Sequence, residues 1–134
     1  MTPFYLKIVT PDGLLFDGQA EELIVRTTSG DLGILAGHIN CVAPLGMGRA
    51  TVVIDGSRRY GACIGGMVSV VNGAVTLLPT TFEWSDSIDL ARAEDAKLRA
   101  EALLKQKDMS DAEISLAQAK LRRALVRKSV GSYK

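Results

Sequence analysis

Two groups of arginines in the last third of the chain are spaced so that their side chains could bind an anion together. Arg92 and Arg99 lie seven residues apart and Arg123 and Arg127 lie four apart, so on helices each pair would project from one face. Asp89, three residues before Arg92, would share the first face. Because a guanidinium presents a planar fork of donors to phosphate oxygens, several arginines converging in a closed helical hairpin would suit a nucleoside triphosphate. The same spacing fits solvated salt bridges, and from the residues alone both interpretations stay open.

Groups that could carry catalysis are sparse. His38 is the single histidine, and Cys41 and Cys63 are the two cysteines. These residues make no zinc-site spacing and no recognisable Ser-His-acid arrangement, and the phosphate loop G-x-x-x-x-G-K-S/T is missing. We therefore expect no metal site and no catalysis by this chain alone. The alternative is a phosphohydrolase that uses Asp89 and His38. With no secretory leader before them, the cysteines are expected to be buried reduced thiols.

The composition excludes several classes of protein. The chain has 134 residues, a net charge of +1, 47% hydrophobic residues and 23% charged residues. That charge offers no general field for nucleic acid, and the apolar content is too high for a disordered chain. The uncharged stretch 60–82 is long enough to span a bilayer, but Gly65-Gly66, Asn72-Gly73 and Pro79 interrupt it. We expect a globular protein without membrane insertion, which stays in the compartment where it is made.

Short strands separated by turns dominate the first part of the chain. Asp55-Gly56 and Asn72-Gly73 are typical hairpin turns, and 12 of the 13 Gly and all 4 Pro precede Glu83. Because no helical pattern separates the strands, a β-sandwich or barrel is favoured over a parallel sheet. The predicted strands are 4–9, 22–26, 33–35, 49–54, 57–64, 67–71 and 74–78.

The last third of the chain has a helical pattern rich in Ala and Leu. One helix is predicted over about 89–105, and a second follows the capping box of Ser110 and Glu113 and continues to about 129. Since alanine buries little area, we expect a weakly held, movable hairpin. The predicted fold is α+β, with an antiparallel β-sandwich over 1–84 and an antiparallel two-helix hairpin over 85–134. The predicted apolar stripe of the second helix is Ile114, Ala117, Leu121, Ala124 and Leu125.

Positive charge concentrates in the second helix. Residues 114–134 carry six bases and no acid, whereas 83–113 carry nine acids and five bases. This pattern either complements the helix dipole at a solvated end or forms a cationic face for an anionic partner.

Four segments together resemble the epsilon subunit of F-type ATP synthases. They are T-P-D-G at 10–13, G-D-L-G-I-L-A-G-H at 30–38, Gly-Gly at 65–66 and I-D-L-A-R-A at 88–93. The segments occur in the family's order and at its separations, over essentially the whole chain. Met67 stands where the family usually has an aromatic residue, and Ala36 where proline is common. The resemblance implies a ten-stranded β-sandwich followed by a two-helix hairpin, in agreement with the division above.

The resemblance implies a non-catalytic central-stalk subunit, peripheral at the cytoplasmic face of the cell membrane, that couples ion-driven rotation to ATP synthesis. Its sandwich would bind the gamma subunit and the c-ring, with Asp31 and His38 in the loop that faces them. Its hairpin would either fold on the sandwich or extend along gamma into the alpha/beta hexamer, where it inhibits ATP hydrolysis. The implied inhibitory basic face is Lys120, Arg122, Arg123, Arg127 and Lys128.

Some bacterial members of the family bind ATP through a motif I/L-D-x-x-R-A, which residues 88–93 match at every fixed position. ATP would then be a regulatory ligand, with no cofactor required, and it would favour the closed hairpin by binding that state alone. The competing hypothesis is a free-standing nucleotide-sensing adapter outside the synthase, which would not co-purify with gamma. The ATP-binding residues implied by the resemblance are Glu83, Ile88, Asp89, Arg92 and Arg99, with Arg123 and Arg127 closing from the second helix.

Overall fold

The computed structural model describes residues 1–133, in which ten strands precede two helices. A short 3-10 turn, Ser85–Ser87, joins the two parts. The helices are α1 (Leu90–Leu104) and α2 (Asp111–Gly131). The strands are β1 (Phe4–Thr10), β2 (Gly13–Ala20), β3 (Glu22–Thr27), β4 (Gly30–Ile34), β5 (Cys41–Pro44), β6 (Met47–Ile54), β7 (Ser57–Ile64), β8 (Met67–Val71), β9 (Ala74–Leu78) and β10 (Thr81–Trp84).

The strands form two five-stranded sheets, ordered β2-β1-β9-β8-β5 and β10-β7-β6-β3-β4. The predicted sandwich followed by a helical hairpin is confirmed. One pair departs from the antiparallel pattern, since β1 and β9 run parallel with Leu6 opposite Val75. These strands are distant in the sequence and no tight turn joins them, so their direction is not constrained as it is in a hairpin.

Alternating side chains of the strands build the core between the sheets. Along β1, Phe4, Leu6 and Ile8 point inward, as the period of two requires. Leu23 from the second sheet is equally inaccessible to solvent. Both cysteine thiols are free, Cys63 being buried in this core and Cys41 half-buried.

Three strands are absent from the sequence prediction. β2 exposes both Leu14 and Leu15, so its apolar residues do not alternate as a half-buried strand should. β5 lies at a sheet edge and ends in Pro44, a residue that counts against a strand in sequence reasoning. β10 has four residues, too few to show a period. Among the predicted strands the largest difference is β4, which covers Gly30–Ile34 rather than 33–35.

The capping box at the start of α2 is confirmed, with the Glu113 amide donating to Ser110 Oγ at 3.1 Å. The predicted stripe of α2 is confirmed at Ala117 and Ala124, which are buried, and wrong at Leu125, which is 43% exposed. The buried seam ends instead in Val130 and Gly131, because α2 packs on β6 and β7 as well as on α1. Neither helix of the described chain is long and apolar enough to cross a membrane.

Candidate functional site

The hairpin folds over the sandwich, and the two line a cavity of about 610 Å³ that is open to solvent on one side. A volume of this size is typical of small-molecule sites. Its walls come from β7, β10, α1 and α2, so the cavity exists only while the hairpin is closed. The lining residues are Ile64, Thr81, Glu83, Ala96, Arg99, Ala100, Leu103, Lys120, Arg123, Ala124 and Arg127.

Four bases and one acid line this cavity. Arg99 comes from α1, and Lys120, Arg123 and Arg127 come from α2, where spacings of three and four residues put them on one face. Ala96, Ala100 and Ala124 lie between the charged groups, and their small side chains leave the space open. The arrangement is a cationic pocket whose lining is also partly apolar, suited to a ligand that carries several negative charges.

Glu83 and Arg127 join the sandwich to the hairpin at one end of the cavity. A carboxylate oxygen of Glu83 lies 2.6 Å from Arg127 Nη2, and both side chains are about two-thirds buried, 30% and 33% exposed. Within residues 1–133, Arg127 Nε is buried without an acceptor, and no carboxylate lies within 4.0 Å of the charged groups of Arg99, Lys120 or Arg123. A buried donor without an acceptor is costly, so a ligand with a hydrogen-bond acceptor would supply what this end lacks.

Three residues of the predicted ATP set lie outside the cavity lining. Asp89 is the N-cap of α1 and accepts a hydrogen bond from the Arg92 amide at 3.1 Å. Ile88 lies against Gly131, where an added Cβ would come within 3.0 Å of Ile88 Cγ2. Arg92 is exposed and does not line the cavity. The motif at 88–93 therefore builds the start of α1, while Glu83, Arg99, Arg123 and Arg127 are the predicted residues that the fold brings together.

The predicted inhibitory basic face is divided in the closed hairpin. Arg123 and Arg127 face the cavity together with Lys120, whereas Arg122 lines a separate groove beside Leu121. Lys128 Nζ lies 2.8 Å from Glu94 of α1. Their hydrogen bond raises the pKa of Lys128 and lowers the pKa of Glu94. The five cations thus do not share one face of the closed hairpin.

Asp31 and His38 make local contacts in the sandwich. Asp31, in β4, lies 3.3 Å from Arg26 Nη1, and both side chains are exposed. His38 Nδ1 lies 2.8 Å from the carbonyl oxygen of Ile39. Among residues 1–133, no group of three or more His, Cys, Asp or Glu side chains is arranged to hold a metal ion.

Sequence reasoning did not place Lys120, Thr81 or Ile64 at the ligand cavity. The spacing of Lys120 to Arg123 and Arg127 carried the necessary signal, since three and seven residues keep a side chain on the same helical face. Thr81 and Ile64 are opposite each other on β10 and β7, and only the sheet pairing brings them together.

Comparison with known proteins identifies the family. Residues 3–85 match the model of the ATP synthase delta/epsilon chain beta-sandwich domain, and residues 86–130 match the model of the delta/epsilon chain long alpha-helix domain. The ATP synthase epsilon chain of Ruminococcus albus is 44% identical over 135 residues, covering 100% of both chains. The epsilon chain of Bacillus pumilus is 42% identical over 130 residues, covering 97% of this chain and 98% of its own.

Solved structures show the same fold. A chain of the Euglena gracilis mitochondrial ATP synthase, in the OSCP/F1/c-ring assembly, superposes with a TM-score of 0.83 at 22% identity, covering 96% of this chain and 81% of that chain. A chain of the Tetrahymena thermophila central stalk/c-ring assembly superposes with a TM-score of 0.62 at 14% identity, covering 96% of each chain. With both of its domains matched and full-length relatives above 40% identity, this chain belongs to the family of ATP synthase epsilon chains.

Proposed function

We propose that this chain is a non-catalytic central-stalk subunit of an F-type ATP synthase. In this role the sandwich binds the gamma subunit and the c-ring, with Asp31 and His38 on the side that faces them, and transmits ion-driven rotation to ATP synthesis. The chain then lies at the cytoplasmic face of the cell membrane as a peripheral subunit. Family membership and epsilon-chain relatives that span the whole chain support this role.

The hairpin acts as a sensor of ATP. The observation that carries this proposal is the cavity, because three cations of α2 and one of α1 meet Glu83 of β10 only in the closed state. A ligand held by all three elements binds that state and not the open one, so it shifts the population towards closure. ATP fits because its triphosphate matches a pocket with an excess of positive charge.

Opening of the hairpin releases the same cations for another partner. Arg123 and Arg127 face the cavity in the closed state, so an open hairpin uncovers cations of α2 that the closed state directs at the sandwich. We place these cations against acidic segments of the alpha/beta hexamer, where they inhibit ATP hydrolysis when ATP is scarce. Because Arg123 and Arg127 serve both states, ATP binding and inhibition exclude each other.

Calorimetric titration of the full chain with ATP tests the sensor. Loss of one charge-assisted hydrogen bond costs about 1.5–3 kcal/mol, so Arg123→Ala should weaken ATP binding about tenfold to a hundredfold. Arg122→Ala is the matched control, because it removes the neighbouring charge of the same helix outside the cavity. Equal affinities of wild type and Arg123→Ala, or no saturable binding by the wild type up to millimolar ATP, would refute the sensor.

Arg92→Ala measures whether the ligand extends beyond the cavity. Arg92 is exposed and is not part of the lining, so a loss of affinity comparable to that of Arg123→Ala would place part of the nucleotide against the start of α1. An unchanged affinity confines the site to the cavity.

Co-purification tests the stalk role separately. When a tagged chain is purified from the cells that produce it, the gamma subunit should co-purify with it as a stable complex. Isolation of the tagged chain without gamma, together with intact ATP binding, would favour the free-standing nucleotide-sensing adapter instead.

A further inference from the structure

Tyr133 lies on the sandwich immediately beyond the end of α2. Its ring centroid is 4.9 Å from that of Tyr60 in β7, at an interplanar angle of 40°. Arg49 of β6 places its guanidinium over both rings, 4.7 Å from the centroid of Tyr133 and 5.2 Å from that of Tyr60. At these distances aromatic pairs and cation–π pairs attract each other. We call these three residues the C-terminal clasp.

The sheet builds the sandwich half of the clasp. On the antiparallel pair β6 and β7, Thr51 is opposite Tyr60, so Arg49, two residues before Thr51, is a diagonal neighbour of Tyr60 on the same face. Glu83 of β10 belongs to this face as well, because its partner in β7 is Ala62, two residues after Tyr60. Since α2 packs on β6 and β7, this is the face that the closed hairpin covers.

The end of α2 directs Tyr133 towards this face. The Ser132 amide donates to the carbonyl oxygen of Ser129 at 3.3 Å, and the Tyr133 amide donates to that of Val130 at 3.0 Å. Bonds three residues apart tighten the last turn beyond the helix. Val130, in the same turn, is 1% exposed. The backbone that carries Tyr133 is therefore held in place, and its ring has little conformational freedom left to lose when it contacts the sandwich.

We propose that the C-terminal clasp fastens α2 to the sandwich and sets how readily the hairpin opens without any ligand. An extended α2 carries Tyr133 away from Arg49 and Tyr60, so opening breaks the aromatic and the cationic contact together. These contacts matter because most side chains buried in the two helices are alanines, which bury little area. The inference rests on the proposed function only in that it requires a hairpin that opens, and it requires no nucleotide.

Hydrogen exchange of the full chain without nucleotide tests the clasp. Tyr133→Ala removes the contacts with Tyr60 and Arg49, so α2 amides should exchange about fivefold faster or more. Core amides around Val68 should keep the wild-type rate, which also shows that the variant is folded. Tyr133→Phe keeps the ring and should stay within about twofold of the wild type. Arg58→Ala is the control, because it removes an exposed arginine of β7 outside the clasp and should leave α2 exchange unchanged.

A double-mutant cycle tests whether Arg49 and Tyr133 act together. Arg49→Ala should speed α2 exchange about two- to fivefold in the wild-type background. It should have no further effect in Tyr133→Ala, because the clasp joins Arg49 to the hairpin through Tyr133. Independent effects of the two substitutions would overturn the clasp, as would wild-type exchange in Tyr133→Ala.

The outcomes are distinct from those that test the sensor. A wild-type chain that binds no ATP but shows the expected exchange would refute the sensor and leave the clasp standing. Loss of the clasp in a chain that binds ATP would leave the sensor standing. If α2 amides of the wild type exchange only as slowly as the core, the hairpin does not open by itself, which would overturn the clasp and the mobile hairpin of the proposed function together.

Discussion

Replacement of Val130 by Ala should loosen the docking of α2 while leaving the sandwich intact. Val130 is the largest side chain buried in either helix, at 1% exposure, whereas the other buried helical residues are alanines and Gly131. Gly131 beside it lies against the start of α1, where an added Cβ would come within 2.7 Å of Leu90 Cδ2. Val130 is therefore buried at the end of α2 that lies beside the beginning of α1.

The expected magnitude follows from the apolar groups that the substitution removes. Val to Ala deletes the equivalent of two buried methylene groups at about 0.8 kcal/mol each, or about 1.6 kcal/mol, and the cavity left behind adds to this. A loss of about 1.6 kcal/mol corresponds to a more than tenfold increase in the population of the open hairpin. A hairpin whose remaining buried side chains are alanines has little else to offset that loss.

Hydrogen exchange of backbone amides measures this opening residue by residue. Amides of α2 in Val130→Ala should exchange more than tenfold faster, while those around Val68 and Leu77 in the core keep the wild-type rate. Leu125→Ala is the control, because it removes a larger side chain that is already 43% exposed and should have a much smaller effect. Equal acceleration in the sandwich and α2 would refute independent opening of the hairpin, and unchanged α2 exchange would refute the role of Val130.

Two further predictions concern the sandwich. Gly61→Ala should lower the free energy of unfolding by about 1–3 kcal/mol in urea titrations, because the added Cβ would lie 2.7 Å from Phe82 Cε1. Gly33→Ala is the control, since its Cβ would meet no atom within 4 Å. Equal urea midpoints for the two variants would contradict this packing. Burial raises the pKa of Cys63 to about 12 from 9.0, so at pH 8 a thiol reagent should modify Cys41 alone until the chain is unfolded. The Cys63 thiol ionises at a lower pH in the unfolded chain than in the folded one, so the free energy of unfolding should fall as the pH rises from about 9 to about 12. Cys63→Ala should remove this contribution to the pH dependence of stability.

Local features of the fold were predictable because they depend on a few neighbouring residues. The hairpin turn at Asn72-Gly73 joins β8 and β9, with Asn72 at a φ of 49°, and the capping box of Ser110 and Glu113 starts α2. Such signals act over two to four residues and need no knowledge of distant contacts. β5 escaped prediction for the opposite reason, since a strand of four residues at a sheet edge is defined by its partner β8.

The sequence by itself determined the family, the change from strands to helices near residue 85 and the presence of two arginine-bearing helices. Only the tertiary structure decided which charges meet. The helix period brings Arg123 and Arg127 to one face, but how α2 lies on β6 and β7 directs that face and Lys120 towards Glu83. Arg92 stays outside the lining because its position in α1 follows from the cap at Asp89. Periodicity sets which side chains share a face, whereas the packing of one element on another sets what that face contacts.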